Sequence, residues 1–216
     1  MSILNEKIAA RIDESKVIAV LEISDPKNAI PTVRALQRGG VDTIELALRT
    51  EGALEAVRII KEEAPEIVLG IGTVITTQQV ETIAKLNVDF AVAPGCNADV
   101  MAACLECGVQ FAPGIATPSD IEMALKYGCR VMKYFPADTL GGMKHLTNMV
   151  APYRYLGLKF IPLGGVSQDN AADYLRSELI TAIGGSWIAK RHLIESQDWA
   201  TIEANAQKIR TLINTL

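Results

Sequence analysis

Residues 43–64 read TIELALRTEGALEAVRIIKEEA, a strand pattern followed directly by a helix pattern. Over residues 43–49, aliphatic side chains alternate with Thr, Glu, Ala and Arg, as expected for a strand with two different faces. Over residues 53–64, apolar side chains recur at threes and fours in one stripe: Ala53, Val57, Ile60 and Ala64. Glu55, Arg58 and Glu62 fall on the opposite side. The stretch therefore predicts a strand followed by a helix that packs on one face.

This strand–helix unit repeats along the chain. Short apolar runs recur about every 20 to 30 residues, at Val17–Leu21, Thr43–Leu48, Ile67–Ile71, Asp89–Ala93, Gln110–Ala112, Arg130–Phe135, Lys159–Leu163 and Ile180–Ile183. Alternating strands and helices indicate parallel strands with crossover helices, and eight such units favour a closed barrel. We predict an α/β fold, a (β/α)8 TIM barrel with an N-terminal helix, as a single domain over residues 1–216.

An open, doubly wound sheet is the alternative architecture. Such sheets usually carry a GxGxxG motif after their first strand. Here the first strand runs into Glu22-Ile23-Ser24-Asp25-Pro26, without glycine. Helix boundaries fit the barrel: Thr117-Pro118-Ser119-Asp120 predicts a capped helix start, as does Asp25-Pro26. Gly39-Gly40, Gly108 and Gly128 predict left-handed helix ends.

Composition and charge exclude several classes of function. The 216 residues are 49% hydrophobic and 21% charged, an ordinary globular composition. The net charge is −4 and the pI about 5.3. Without a basic stripe we expect no nucleic-acid partner. The apolar runs are shorter than a membrane span and no signal peptide is visible, so we expect no membrane partner and a cytoplasmic location.

Four cysteines occur, and two of them form a CxxC motif. Cys104 and Cys107 lie in a run, residues 100–108, that is typical of a helix. No second CxxC and no nearby histidine accompany them. We therefore expect reduced thiols on a packed helix rather than a metal site or a disulfide framework.

Lys133 is the most informative residue at the predicted strand ends, where a barrel carries its chemistry. It lies in RVMKYFP, residues 130–136. Strand alternation places Val131 and Phe135 inside with it, and turns Met132 and Tyr134 toward the helices. A desolvated lysine favours its neutral amine, the nucleophile that a Schiff base requires. A lysine snorkelling at the barrel rim is the alternative.

Glu45 and Arg49 share the inward face of the second strand with Thr43 and Ala47. A polar inward face is unusual for a purely structural strand. As functional groups, Glu45 would be a general acid/base and Arg49 a fork for a carboxylate. A structural ion pair between Glu45 and Arg49 is the alternative.

Glycines mark three further strand ends. Gly70 and Gly72 leave room inside the barrel, and Thr73 offers a hydroxyl. Gly164-Gly165 and Gly184-Gly185-Ser186 follow the last two strands, between which barrels often bind phosphate. Tight turns without a ligand are the alternative. His145 and His192 lie away from the strand ends, so we expect no metal.

Read together, these motifs resemble the 2-keto-3-deoxy-6-phosphogluconate (KDPG) aldolase / 4-hydroxy-2-oxoglutarate (KHG) aldolase family. The resemblance is collinear over nearly the whole chain. It rests on Glu45, Leu48-Arg49-Thr50, Gly72-Thr73, Pro94-Gly95, Lys133-Tyr134-Phe135-Pro136-Ala137, Gly164-Gly165 and Gly184-Gly185-Ser186-Trp187.

The resemblance implies a class I aldolase that cleaves a phosphorylated keto-acid without a cofactor. Lys133 would form the Schiff base and Glu45 would move protons. The other roles it implies are pyruvate binding, for Arg49, Thr73, Pro94 and Phe135, and phosphate binding, for Gly164, Gly165, Gly185 and Ser186. Family members are typically homotrimers, so a homotrimer is the expectation.

One departure from the family pattern concerns stereochemistry. The phosphogluconate enzymes commonly carry Thr-Gly-Gly where this chain has Leu163-Gly164-Gly165. An aliphatic residue there is closer to the enzymes for the galactonate epimer, whereas Leu48-Arg49-Thr50 resembles the gluconate branch. Three alternatives to the KDPG reaction therefore stand: the 6-phosphogalactonate epimer, KHG, and a barrel that binds a phosphorylated ligand without aldol chemistry.

Overall fold

A computed structural model of the chain describes residues 3–216. Its strands are β1 Val17–Leu21, β2 Thr43–Ala47, β3 Val68–Gly72, β4 Phe90–Val92, β5 Phe111–Ala112, β6 Gly114–Ile115, β7 Val131–Tyr134, β8 Lys159–Pro162 and β9 Ile183–Gly185. Its α-helices are α1 Glu6–Ser15, α2 Ala29–Arg38, α3 Ala53–Glu63, α4 Thr77–Ala84, α5 Ala98–Cys107, α6 Pro118–Lys126, α7 Gly142–Val150, α8 Ala171–Leu175, α9 Arg191–Glu195 and α10 Trp199–Ile213. Short 3₁₀ helices span Pro26–Asn28 and Ala151–Leu156.

All paired strands are parallel, and they form two sheets. The first has the order β5-β4-β3-β2-β1-β9 and the second β6-β7-β8. A single bridge, Phe160 to Ile180, connects β8 with the segment before β9. There, Phe160 N–H donates to the Leu179 carbonyl at 2.8 Å. The predicted α/β class, with parallel strands joined by helices, is confirmed, although the strands pair as two sheets rather than one ring.

Two predicted strands differ from the structure. The run at residues 110–112 continues past Pro113 as a second strand, so that β5 pairs with β4 while β6 pairs with β7. Pro113 has no N–H to donate, but its carbonyl accepts from Lys133 N–H at 2.8 Å. The last strand begins at Ile183 rather than at residue 180, and contains Gly184 and Gly185, which pair with Ile18 and Ala19. The sequence predicts these two glycines at the end of the last strand, and they form its final two residues. The alternative, a tight turn made by both glycines, is wrong.

The reason for glycine in β9 is close packing. A Cβ atom at Gly184 would lie 2.5 Å from Leu163 Cγ, and one at Gly185 would lie 1.5 Å from the Trp187 ring. Any larger residue would therefore displace a neighbouring side chain. In a sequence, paired glycines can therefore indicate close packing within a strand as well as a loop after it.

The core has two parts, on the two faces of the strands. The larger part lies between strands and helices and includes Met132 and Tyr134. The smaller part fills the interior and includes Val131, with Phe135 packed against it. Alternation along β7 therefore places its side chains as the sequence predicted.

The N-terminal helix α1 contributes to the interior. Leu4, Ile8 and Ile12 belong to the same cluster as Ile18 and Val131. Asn5 caps the start of the helix, where its side chain accepts from Ile8 N–H at 2.9 Å. Because these apolar side chains fill the interior from the side of α1, the open end of the fold is the one where the strands finish.

Most predicted helix ends are confirmed. Thr117 caps α6 in a reciprocal capping box with Asp120, and Pro118 is its first residue. Gly40, Gly108 and Gly128 have positive φ, whereas Gly39 has φ of −80°. Asp25 caps a short 3₁₀ helix. Among the helices of residues 3–216, none combines the length and apolarity that crossing a membrane requires.

The four cysteines are free thiols. Cys104 lies buried on α5, and Cys129 is buried against Met101, 4.0 Å from its sulfur. Burial is the main cause that raises the pKa of each of these two thiols to about 12. At neutral pH both are protonated and poorly nucleophilic.

We expect Cys104 and Cys129 to resist iodoacetamide at pH 8 in the folded protein and to react fully in urea. Their raised pKa keeps the thiolate fraction small, and their burial excludes the reagent. Peptide mass spectrometry before and after unfolding measures both states. Exposed Cys107 is the internal comparison, and rapid alkylation of Cys104 without unfolding would contradict the assignment.

Candidate active site

Lys133 and Glu45 form a buried pair inside the fold. Lys133 Nζ donates to Glu45 Oε1 at 3.0 Å and to Oε2 at 3.3 Å. The side chains are 5% and 1% exposed. The rim-lysine alternative is therefore wrong, and so is the Glu45–Arg49 ion pair, because Glu45 is engaged by Lys133.

Their strands position the pair. Glu45 is central in β2 and Lys133 in β7, on strands of the two different sheets. The space for the carboxylate comes from β3, since a Cβ atom at Gly72 would lie 2.1 Å from Glu45 Oε1. Gly72 thus has a definite role, which is to let the carboxylate reach across the interior to the amine.

An aromatic ring lies beside the amine. Lys133 Nζ lies 5.5 Å from the centre of the Phe135 ring. Tyr134 points away toward α7, where its hydroxyl donates to the Gly142 carbonyl at 3.4 Å. Burial raises the pKa of Tyr134 to about 12, so this hydroxyl stays protonated. Glu45 is then the titratable group in hydrogen-bond contact with the amine within residues 3–216.

Arg49 lies at the open end rather than inside. The strand ends at Ala47, and Arg49 stands in the following turn, with its N–H donating to the Ala47 carbonyl at 2.8 Å. Strand alternation therefore does not decide where the Arg49 side chain points. The prediction that Arg49 lies on the inward face of β2 is wrong. Its Nε donates to Thr73 Oγ1 at 3.1 Å, so the structure brings together these two residues as the sequence suggested.

Thr73 has an unusual backbone. Its φ is 65°, in the left-handed region that β-branched residues rarely adopt. Such residues cluster at functional sites, where the surroundings hold them in place. The conformation turns the hydroxyl of Thr73, immediately after β3, toward the Arg49 guanidinium.

Gly164 and Gly165 follow β8 with φ of 87° and 82°. A Cβ atom at Gly164 would lie 3.0 Å from the Phe135 ring, and one at Gly165 would lie 2.3 Å from Asp138 Cβ. Within residues 3–216, the N–H groups of Gly164, Gly165 and Ser186 donate to no protein acceptor. They are therefore free for an anion at the strand ends.

Two further residues that the sequence predicted for the site, Pro94 and Ser186, lie at neighbouring strand ends. Pro94 is half-buried after β4, and its carbonyl would lie 2.2 Å from a Cβ atom at Gly114. Ser186 is exposed directly after β9. Both stand at the ends of their strands, on the same side as Arg49 and Gly164.

Sequence reasoning missed two sets of supporting residues. Glu22 follows β1 and accepts from Arg49 Nη1 at 2.9 Å. Asn170 accepts from Ser167 N–H at 2.8 Å and donates to the Gly165 carbonyl at 3.0 Å, holding the glycine turn. The position of Glu22 at a strand end was the available signal, whereas Asn170 gave none.

The histidines lie outside the site. His145 is stacked on Tyr134 at 6.3 Å between ring centres, and His192 is exposed on α9. Over residues 3–216, no three His, Cys, Asp or Glu side chains are grouped as metal ligands would be.

Known proteins share this arrangement of sequence and fold. The family model for KDPG and KHG aldolases matches residues 8–205. A 2-dehydro-3-deoxy-phosphogluconate aldolase of Treponema pallidum is 35% identical over 205 residues, covering 95% of this chain and 97% of the relative. The KHG/KDPG aldolase of Escherichia coli K12 is 35% identical over 192 residues, covering 89% of each chain.

A solved structure extends the likeness to three dimensions. The KDPG aldolase of Legionella pneumophila, with pyruvate captured as a covalent carbinolamine intermediate, superposes with a TM-score of 0.88 at 30% identity. The match covers 93% of this chain and 96% of that one. With a family model spanning most of its length and relatives matched nearly throughout, the chain belongs to the KDPG and KHG aldolase family.

Proposed function

We propose that this protein is a class I aldolase, an aldehyde-lyase that cleaves 2-keto-3-deoxy-6-phosphogluconate to pyruvate and glyceraldehyde 3-phosphate. The observation that carries the proposal is the buried pair of Lys133 and Glu45, with 3.0 Å between Nζ and Oε1. A buried amine and an adjacent carboxylate provide the nucleophile and the proton carrier that Schiff-base chemistry needs.

Lys133 provides the covalent step. Its neutral amine attacks the C2 carbonyl of the substrate to form a carbinolamine, which loses water to give an iminium. Cleavage of the C3–C4 bond sends its electron pair into this iminium, leaving an enamine, and releases the aldehyde. Protonation of the enamine and hydrolysis free pyruvate. The iminium is the electron sink, so the reaction requires neither a metal nor a cofactor.

Glu45 moves the protons in these steps. It takes a proton from the Lys133 ammonium, which frees the amine for attack, and gives that proton to the departing hydroxyl of the carbinolamine. As a carboxylate again, it takes a proton from the C4 hydroxyl when the C3–C4 bond breaks. It then returns a proton to the enamine carbon. Both carboxylate oxygens lie within 3.3 Å of Nζ, close to where the C2 carbon would be attached.

Arg49 and Thr73 are proposed to bind the pyruvate-end carboxylate at the rim above this pair. A guanidinium binds a carboxylate through paired N–H groups. Arg49 Nη2 donates to no protein oxygen within residues 3–216, so it remains for the substrate. Phe135 and Pro94 would pack against the pyruvyl carbons.

The glycines after β8 and β9 are proposed to bind the phosphate. Gly164 and Gly165 stand in left-handed backbone with free N–H groups, and Ser186 adds a hydroxyl. Gly185 lies in β9 immediately before Ser186, with the Trp187 ring packed over it. Backbone donors at strand ends suit an anion even in a chain of negative net charge.

We propose that the two sheets together form one domain, a (β/α)8 barrel. Pro113 joins them on one side and the bridge from Phe160 to Ile180 joins them on the other. We also propose a homotrimer in the cytoplasm that acts on a small phosphorylated keto-acid and binds neither nucleic acid nor membrane. The family resemblance supports the trimer.

A second substrate is favoured by one residue. Leu163 is buried at 4% exposure, next to Gly164, and its side chain packs on Gly184. An aliphatic side chain at this position offers no hydroxyl to the substrate. The 6-phosphogalactonate epimer is therefore the second candidate, and KHG, which lacks the phosphate, is less favoured by the free N–H groups of the glycine turn.

Borohydride reduction with pyruvate tests the covalent step. We expect a pyruvyl adduct on the peptide containing Lys133, detected by mass spectrometry, and no adduct in Lys133→Ala. Loss of the lysine leaves Glu45 buried without a partner, at a cost of about 3–5 kcal/mol. Lys133→Met therefore serves as a second variant that keeps more of the volume, with circular dichroism to verify folding.

Lys159→Ala is the matched control for trapping. It removes a lysine from the neighbouring strand β8, where the side chain donates to the Glu178 carbonyl. This variant should trap pyruvate like the wild type. An adduct on any lysine other than Lys133, or none in a folded wild type, would overturn the Schiff-base mechanism and favour a barrel that only binds its ligand.

Glu45→Gln tests proton transfer. The amide preserves the shape and can still accept from Lys133, but it cannot carry a proton. We expect kcat to fall by roughly 10²–10⁴ while some pyruvate trapping persists. Steady-state cleavage assays measure this, with Glu55→Gln on the exposed face of α3 as the control. Unchanged turnover would refute the acid/base role.

Leu163→Thr tests stereochemical preference, with Leu163→Val as its isosteric control. Both changes shorten the side chain, but threonine alone adds a hydroxyl beside Gly164. We expect the ratio of kcat/KM for the gluconate over the galactonate substrate to rise by roughly two- to tenfold in Thr relative to Val, the value of one hydrogen bond. Equal ratios would remove Leu163 from the specificity determinants.

A further inference from the structure

Glu22 is a charged residue at the open end of the fold with no part in the steps above. It follows β1, its side chain is 30% exposed, and its Oε1 accepts from Arg49 Nη1 at 2.9 Å. Strand β1 pairs with β2 on one side and β9 on the other. Glu22 therefore stands between the strand that precedes Arg49 and the strand that precedes Ser186.

Arg49 depends on such a partner for its position. It stands in a turn, its side chain is 47% exposed, and a long arginine side chain has many rotamers in solution. Thr73 holds Nε from the β3 side, and Glu22 holds Nη1 from the β1 side. Two contacts on different nitrogens fix the plane of the guanidinium and leave Nη2 without a protein acceptor in residues 3–216.

A second arginine lies near Glu22 but is engaged elsewhere. Arg191 donates to Glu195 at 2.7 Å. The pKa of Arg191 is raised, chiefly by this hydrogen bond and also, to a smaller extent, by the charge of Glu22. Because Glu195 holds Arg191, the hydrogen bond of Glu22 goes to Arg49 alone.

We propose that Glu22 is a positioning residue that holds Arg49 in the orientation that binds the pyruvate-end carboxylate. This inference rests on the proposed aldolase function. Glu22 does not touch the reacting atoms but acts through Arg49, and Nη2 is the donor it leaves directed to the substrate. Preorganisation of this kind lowers the entropy lost when the substrate binds.

Borohydride trapping at increasing pyruvate concentration tests the proposal, because pyruvate carries the carboxylate but no phosphate. For Glu22→Ala we expect the half-saturating pyruvate concentration to rise by roughly three- to tenfold, with the trapping rate at saturation unchanged. Glu22→Gln, which can still accept from Nη1, should stay near the wild type. Glu55→Ala, which breaks an exposed ion pair on α3, is the control.

A double-mutant cycle shows whether Glu22 acts through Arg49. In an Arg49→Ala background, Glu22→Ala should change the half-saturating concentration no further. An equal effect in both backgrounds, or a half-saturating concentration that stays constant or falls in Glu22→Ala, would overturn the positioning role. Failure of the wild type to trap pyruvate would instead refute the aldolase function, so the two failures are distinguishable.

Discussion

The contact between Lys133 and Glu45 is the constraint around which the interior is arranged. Two charged side chains that are almost completely buried are costly, and neighbouring residues make room for them. Gly72 gives the carboxylate its space, and Phe135 lies beside the amine. Apolar residues of similar volume often fill such a space at no cost in stability, so chemistry explains the pair better than stability does.

The sequence predicted much of this because strand alternation is a local property. Met132 and Tyr134 on the helix side, and Val131 and Phe135 with Lys133 on the other, follow from period two alone. The capped start of α6 at Thr117 also follows from its own few residues. Such features need no knowledge of distant parts of the chain.

The features that could not be predicted depend on distant neighbours. Arg49 pairs with Glu22, 27 residues earlier in the chain. The sequence around either residue does not indicate its partner. The second strand that follows the predicted one beyond Pro113 depends on which neighbours the two segments meet. Gly184 and Gly185 resemble a turn in sequence, and only the side chains of Leu163 and Trp187 explain why glycine stands inside a strand.

Leu4 and the α1 residues Ile8 and Ile12 fill the interior from one side, which limits how the two fragments of the reaction can leave. With that side occupied, both fragments share the opening at the strand ends. With the phosphate held by the glycines at the strand ends, as proposed, the aldehyde half would lie nearer the opening, while the pyruvyl half is still bound covalently to Lys133. Departure is therefore ordered, with the aldehyde first and pyruvate second, and in the direction of synthesis pyruvate must bind before the aldehyde.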